Sequence, residues 1–185
     1  MTAGVLRLLV ARLRTRGRVR AGRGVSIGRG VRFDVAPGGL LVLGAGVAVG
    51  ERTRFDVGGR VEVGAGSRLG RRCAISARER IAIGARCVVG DEVVVLDFDH
   101  DAGDVERPLR LQGLLTSPVT IGDDARLDDA VVVLRGATVG PGARVTTRAV
   151  VTGAVPAGAV AGGVPARQAG TSASASSTRP PGTSR

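Results

Sequence analysis

A six-residue period runs through most of this sequence and constrains its fold more than any other feature. An aliphatic residue or phenylalanine returns at every sixth position, in Leu43, Val49 and Phe55, then Val63, Leu69 and Ile75, then Ile83, Val89 and Val95, and after an interruption in Ile121, Leu127, Val133, Val139, Val145 and Val151. Glycine follows most of them. Three hexapeptides and two extra residues therefore make a unit of twenty.

A period of six excludes an α-helix and predicts stacked short strands. It matches neither the 3.6 nor the 3.5 spacing of helices, and each glycine would cost a helix about 1 kcal/mol. Side chains alternate along a strand, so a short strand offers one or two inward positions. Each unit should form one triangular coil that pairs with the next in parallel, about 4.8 Å away. We expect the glycine after each aliphatic residue to take a positive φ at the corner.

Composition agrees with a thin, repetitive core. The 185 residues are 43% hydrophobic, which is enough for one domain with a continuous core, and with three Phe and no Trp or Tyr that core must be aliphatic. The net charge of +11 comes from arginine alone. These arginines are scattered and lack aromatic stacking partners, so we expect no nucleic-acid partner. A basic surface does attract phosphorylated ligands.

Three segments are predicted along the chain. Residues 1–20 should form an amphipathic helix that caps the stack, a role favoured over contact with a membrane surface, and their apolar run is too short to span a bilayer. Residues 21–170 carry the repeats, with a protruding loop at 97–118, and residues 171–185, rich in Ser, Thr and Pro, should be disordered. Cys73 and Cys87 are predicted to be buried, reduced thiols of a cytoplasmic protein.

The loop contains the only histidine of the chain. His100 stands among Asp97, Asp99 and Asp101, and insertions in solenoids often lie on the binding face. A lone histidine is more often structural, but a protruding loop rich in carboxylates favours catalysis. Neutral imidazole has a pKa close to working pH, as a general base requires, and a neighbouring carboxylate can fix its tautomer. The sequence does not choose among the three aspartates.

The repeat pattern over residues 25–167 resembles the hexapeptide-repeat acyltransferases. The segment Pro118–Asp124 and the ending Gly163-Val164-Pro165-Ala166-Arg167 are similar to the maltose and galactoside O-acetyltransferases. The resemblance implies an all-β, left-handed parallel β-helix and a homotrimer, although ordinary parallel crossovers are right-handed. It also implies transfer of an acetyl group from acetyl-CoA to a hydroxyl or amine of a sugar-like acceptor, without a metal.

The same resemblance assigns the site. His100 would be the general base, assisted by Asp97 or Asp99, and the coenzyme would contact Asp129, Thr147, Thr152 and Arg167, whose guanidinium is suited to a phosphate. The chain departs from the family at Arg126-Leu127-Asp128, where Trp-Ile-Gly is usual, and at Thr146-Thr147-Arg148, where Gly-Ala-Gly is usual. The second departure adds bulk where the thioester arm runs close to backbone, which should weaken coenzyme affinity.

Two other functions are alternatives to acyl transfer for a solenoid of this kind. A γ-carbonic-anhydrase-like enzyme on the same fold needs three histidine ligands, and one histidine excludes it. A scaffold or binding protein that has kept the solenoid and lost turnover stays open, because the Thr146–Arg148 substitutions permit it. Gly70 and Arg78 replace the acidic or amide sugar contacts of the galactoside enzymes, so the acceptor is expected to be a different sugar.

Overall fold

A computed structural model describes residues 15–101 and 113–171, and it shows a parallel β-solenoid of about seven coils. Each of the first six coils contributes one short strand to each of three sheets, here called faces A, B and C, in that order along the chain, and the last coil contributes strands to faces A and B only. Successive coils begin at Val19, Leu40, Arg60, Arg80, Val119, Thr138 and Ala154. The turn after a face B strand is called the BC corner, and the turn after a face C strand the CA corner. The predicted all-β parallel solenoid is thus confirmed.

The strands are numbered in chain order. Face A consists of β1 (Val19–Ala21), β4 (Leu40–Leu43), β7 (Arg60–Val63), β10 (Arg80–Ile83), β15 (Val119–Ile121), β18 (Thr138–Val139) and β21 (Ala154–Val155). Face B consists of β2 (Ser26–Ile27), β5 (Ala48–Val49), β8 (Arg68–Leu69), β11 (Val88–Val89), β16 (Arg126–Leu127), β19 (Arg144–Val145), β22 (Ala159–Gly162) and the antiparallel β23 (Arg167–Thr171). Face C consists of β3 (Arg32–Val35), β6 (Arg54–Val57), β9 (Ala74–Ala77), β12 (Val94–Leu96), β17 (Val132–Val133) and β20 (Val150–Val151). A separate hairpin joins β13 (Phe98–His100) to β14 (Leu114–Thr116).

Columns of equivalent aliphatic side chains form the core. On face A, Leu41 pairs with Val61, Val61 with Ile81, and Ile81 with Val119, and all four are fully buried. The spacing of twenty between the first three is the repeat read from the sequence. Later coils are shorter: Thr120 pairs with Thr138, eighteen residues on. The face C strands shrink accordingly, from four residues in β9 to two in β17.

The repeat glycines have a different role from the one predicted. The positive φ angles fall three residues after the inward aliphatic, as at Gly46 (69°) after Leu43 and at Arg52 (58°) after Val49. The glycine directly after the aliphatic is required by close packing between coils. A Cβ on Gly64 would lie 2.4 Å from the carbonyl carbon of Gly84 in the next coil. Backbone contact, and not corner geometry, therefore excludes other residues at that position.

Small polar side chains also point inward at the corners. Thr53 and Ser67 donate from their hydroxyls to the carbonyls of Gly70 and Gly84, at 2.9 and 2.7 Å. Cys73 and Cys87 occupy equivalent positions, and their thiols lie 3.2 and 3.1 Å from the carbonyls of Gly90 and Gly122. Both cysteines are buried and free, as predicted, and burial raises the pKa of each thiol. They are core residues with a hydrogen-bonding function.

The predicted N-terminal helix over residues 1–20 is wrong at its end. Val19–Ala21 forms a strand that pairs with Leu41–Leu43, and Val19 is buried in the core. Positive φ angles at Arg16 and Gly17 turn the chain just before it, which no continuing helix tolerates. The rest of the predicted helix, residues 1–14, lies outside the described residues. So do residues 172–185 of the tail that is predicted to be disordered. Across residues 15–101 and 113–171, no helix has the length and apolar character that crossing a membrane requires.

Candidate active site

The histidine lies on the hairpin that interrupts the solenoid at the CA corner of the fourth coil. In β13 and β14, Phe98 pairs with Thr116 and His100 with Leu114. The hairpin is attached to the solenoid at its base, because the guanidinium of Arg78 lies 4.8 Å from the centre of the Phe98 ring. Arg78 also holds Asp56 through two hydrogen bonds of 3.1 and 2.8 Å, and this pairing lowers the pKa of Asp56.

The three aspartates beside His100 have different surroundings. Asp97 is fully buried, and its two carboxylate oxygens accept the backbone N–H groups of Arg78 and Glu79, at 2.7 and 2.8 Å. This carboxylate therefore closes the corner of the coil beneath the hairpin. Asp99 is exposed, and its Oδ1 accepts the backbone N–H of His100 at 2.8 Å. The imidazole itself belongs to an exposed residue.

A cleft of about 360 Å³ connects the hairpin with the later coils. It is lined by Leu96, Phe98, Asp99, Leu134, Arg135 and Thr152. Arg135 and Thr152 follow the face C strands of the fifth and sixth coils, so both lie at the CA corner from which the hairpin starts. The structure thus brings together the predicted residues Asp99 and Thr152. Arg135 was not predicted as a site residue. It lies two positions after the inward Val133 of the repeat.

The predicted residues Asp129 and Thr147 meet in a second cleft, of about 280 Å³, at the BC corner. The Oδ1 of Asp129 accepts the backbone N–H of Asp91 in the coil below, at 2.8 Å. Asp128, which stands where most coils have glycine, binds Arg144 at 2.8 Å and Arg126 at 3.1 Å. This ion-pair cluster forms part of the cleft wall.

The Thr146–Arg148 departure changes the same corner of the sixth coil. Thr146 takes a position that is glycine in most coils, and a Cβ on Gly162 of the last coil would lie 2.4 Å from its Oγ1. Thr147 and Arg148 are exposed, and Arg148 adopts a positive φ of 60°. The Thr146 side chain is accommodated because the coil above has Gly162 at the facing position, whereas the side chains of Thr147 and Arg148 extend from the surface.

Arg167 is not among the residues that line either cleft. It begins β23, which folds back antiparallel on β22 and places Arg167 opposite Gly162. Its side chain is exposed at the last coil. Within the described residues, no three His, Cys, Asp or Glu side chains form a group that could hold a metal ion.

Comparison with known proteins supports the resemblance read from the repeats. No family model matches the chain. Over 85 residues it is 41% identical to a probable acetyltransferase of Mycobacterium tuberculosis, a match that covers 43% of this chain and 28% of that relative. The chain therefore spans less than a third of that protein's length.

Solved structures extend the likeness over the whole solenoid. A hexapeptide-repeat acetyltransferase of Vibrio cholerae, solved with acetyl coenzyme A, has a TM-score of 0.64 at 17% identity, covering 92% of this chain and 79% of its own. A galactoside acetyltransferase solved with coenzyme A has a TM-score of 0.58 at 18% identity, covering 92% and 84%. At these identities the likeness establishes the fold, and the predicted resemblance to hexapeptide-repeat acetyltransferases is confirmed.

Proposed function

We propose that this protein is an acetyltransferase that moves an acetyl group from acetyl-CoA to a hydroxyl or amine of a sugar-like acceptor. The observation that carries the proposal is the cleft at the CA corner, where Asp99 of the hairpin meets Thr152; His100 follows Asp99 in that hairpin and is not itself among the lining residues. The names of the similar proteins agree with this reaction: one is a probable acetyltransferase, and two solved relatives of the fold are acetyltransferases crystallised with coenzyme A or its acetyl form.

His100 is the general base of the proposed reaction. Its neutral imidazole takes the proton from the acceptor hydroxyl or amine, and the freed electron pair attacks the thioester carbonyl carbon. The carbon–sulfur bond then breaks, the acetyl group stays on the acceptor, and the coenzyme leaves as a thiolate that takes up the proton. Asp99, which accepts the His100 backbone N–H, positions the hairpin strand; Asp97 supports the corner beneath it.

The proposed coenzyme residues lie at two different corners of the solenoid. Thr152 is at the CA corner, whereas Asp129 and Thr147 are at the BC corner. A threefold assembly of left-handed solenoids would place one corner of each chain beside a different corner of its neighbour, and so complete the site between subunits. Arg167 would then contact a phosphate of the coenzyme. We assign this trimer to the cytoplasm, where acetyl-CoA is made available.

The test is thiol release from acetyl-CoA with a panel of sugars and amino sugars. We expect release with at least one acceptor, and a loss of about a hundredfold or more in kcat for His100→Ala, because general-base catalysis contributes about that much. Coenzyme binding, measured by calorimetry, should persist in the variant, as should the solenoid's circular dichroism spectrum. Arg68→Ala, an exposed change on face B, is the matched control and should keep full activity.

Other results would contradict the proposal in distinguishable ways. Absence of coenzyme binding together with absence of release would favour a non-catalytic scaffold, in line with the bulk at Thr146–Arg148. Undiminished release by His100→Ala would remove the histidine from the chemistry and leave acetyl transfer itself intact.

A further inference from the structure

Four arginines surround a cleft on the first three coils, far from the hairpin along the chain. The cleft has a volume of about 500 Å³ and lies where the BC corner meets face C. Arg32 of β3 pairs in register with Arg54 of β6, so these two side chains start one coil apart. Arg52 and Arg72 come from the adjoining corners of the second and third coils.

The shape of the cleft follows from small residues at positions where larger ones would close it. Gly30 and Ala74 line it, and Ala74 continues the column of Arg32 and Arg54 with a single methyl group. Cys73, buried beneath, completes the lining. The result is a concave surface with a small-residue floor and guanidinium groups around it.

Several exposed arginines elsewhere in the solenoid are matched with carboxylates on the same or a neighbouring coil, whereas others, such as Arg68, form no ion pair within the described residues. The matched pairs are Arg60 and Arg80 with Glu62, Arg71 with Asp91, Arg86 with Asp124, and Arg126 and Arg144 with Asp128. At the cleft only Arg72 is matched in this way, by Glu92. Arg32, Arg52 and Arg54 form no ion pair with any carboxylate of residues 15–101 and 113–171.

The guanidinium groups of Arg32, Arg52 and Arg54 line one concavity and repel one another, and an anion bound among them would relieve that repulsion. Guanidinium groups bind phosphate oxygens through paired, charge-assisted hydrogen bonds, and several of them can share one group. A phosphate or diphosphate group is small enough for this volume, and its negative charge would offset the positive charge of the arginines.

We propose that the cleft formed by Arg32, Arg52 and Arg54 is a binding site for a phosphate or diphosphate group. The site belongs to the first three coils, whereas the residues proposed for the coenzyme belong to coils five to seven. The ligand is therefore a second phosphorylated compound and not acetyl-CoA. Acyl transfer is not required for this site to exist, so binding and catalysis can be tested independently.

The experiment is calorimetric titration of the full chain with inorganic pyrophosphate at constant ionic strength. We expect saturable binding that is weakened about tenfold or more by Arg54→Gln, since a hydrogen bond to a charged group contributes roughly 1.5–3 kcal/mol. Arg68→Gln removes an exposed arginine from face B and is the matched control. It should bind pyrophosphate like the unmodified protein, and coenzyme A should bind all three proteins equally.

Equal pyrophosphate affinity in Arg54→Gln and the unmodified protein would overturn the proposal. So would an equal loss in Arg68→Gln, because that result indicates attraction by overall charge alone. Two further titrations identify the source of the group. Arg54-dependent binding of uridine diphosphate supports a soluble phosphorylated ligand, and Arg54-dependent sedimentation with vesicles containing phosphatidic acid supports a lipid headgroup. Thermal unfolding of Arg54→Gln shows whether the variant is folded.

Discussion

At single positions, the two kinds of glycine in the repeat should respond differently to alanine. Gly64 has no room, because a Cβ would lie 2.4 Å from the Gly84 carbonyl carbon, whereas Gly142 has a φ of +65° and nothing within 4 Å of its added Cβ. We expect Gly64→Ala to lower the free energy of unfolding by about 3 kcal/mol through overpacking. Gly142→Ala should lose only about 1 kcal/mol, the strain of a left-handed conformation.

Urea unfolding followed by circular dichroism measures both losses. Ala130 provides a matched comparison, since it already occupies a position with a φ of +56°. Ala130→Gly should be neutral or slightly stabilising, because removal of the backbone strain stabilises the fold and the greater entropy of the unfolded chain offsets part of that gain. Equal losses in Gly64→Ala and Gly142→Ala would show that corner geometry, as first predicted, is the common requirement.

Asp97 shows why the residues of the site were only partly predictable. Its spacing from His100 made it a candidate partner of the imidazole. The sequence does not indicate, however, which carboxylates accept backbone hydrogen bonds at a corner of the solenoid. Two backbone N–H groups, of Arg78 and Glu79, lie at the CA corner of the coil beneath the hairpin and need acceptors. A buried donor without an acceptor costs about 1–3 kcal/mol, so a carboxylate at this point is retained by folding alone.

Between coils, the ladders of arginines and carboxylates should make stability depend on acidity. Hydrogen bonds from Arg71 and Arg86 lower the pKa values of Asp91 and Asp124. A carboxyl with a lowered pKa in the folded state contributes stability above its unfolded pKa, about 3.9, and loses it as the pH falls through the lower folded value. We expect urea midpoints to be constant from pH 7 to about pH 5 and to fall below pH 4.

The variant with both Arg71→Gln and Arg86→Gln tests the origin of that dependence. It should be slightly less stable at pH 7 and show a smaller decline below pH 4, because its aspartates have pKa values closer to the unfolded ones. The difference is small, since exposed pairs are screened by solvent. Parallel pH profiles for the variant and the unmodified protein would exclude these pairs as the cause.

The elements of the solenoid were more predictable than the site. The six-residue period marks one inward residue in each strand, and that rule holds at Val63, Leu69 and Ile75, all buried. The four-residue strands bury a second residue that the period does not mark, such as Val61 in β7. The first strand was missed because Val19–Ala21 lies before the regular period begins. The cleft at the CA corner was predicted only in part: Asp99 and Thr152 were expected site residues, and Arg135 was not. The cleft joins residues that are about fifty positions apart, and it depends on the direction of the hairpin.

For the whole molecule, the division of the proposed site between two corners predicts a trimer. Size-exclusion chromatography with light scattering should give about 56 kDa, three times the 18.7 kDa chain. A variant with Arg135→Glu should lose coenzyme affinity, because it reverses the charge at the cleft that the neighbour would share. A mass of about 19 kDa at micromolar concentration would contradict assembly and leave Thr152 and Thr147 in separate sites.

The exact stacking of twenty-residue coils also limits how the molecule can change its length. Since Arg60–Ala77 repeats the backbone path of Leu40–Val57, duplication or loss of one such unit preserves every column on both sides of it. Duplication of Arg60–Ala77 would leave the arginine cleft and the histidine hairpin on the same faces and move them apart by one rise, about 4.8 Å, whereas loss of either unit would remove residues that line the cleft. Their separation along the axis is therefore adjustable only in discrete steps of one coil.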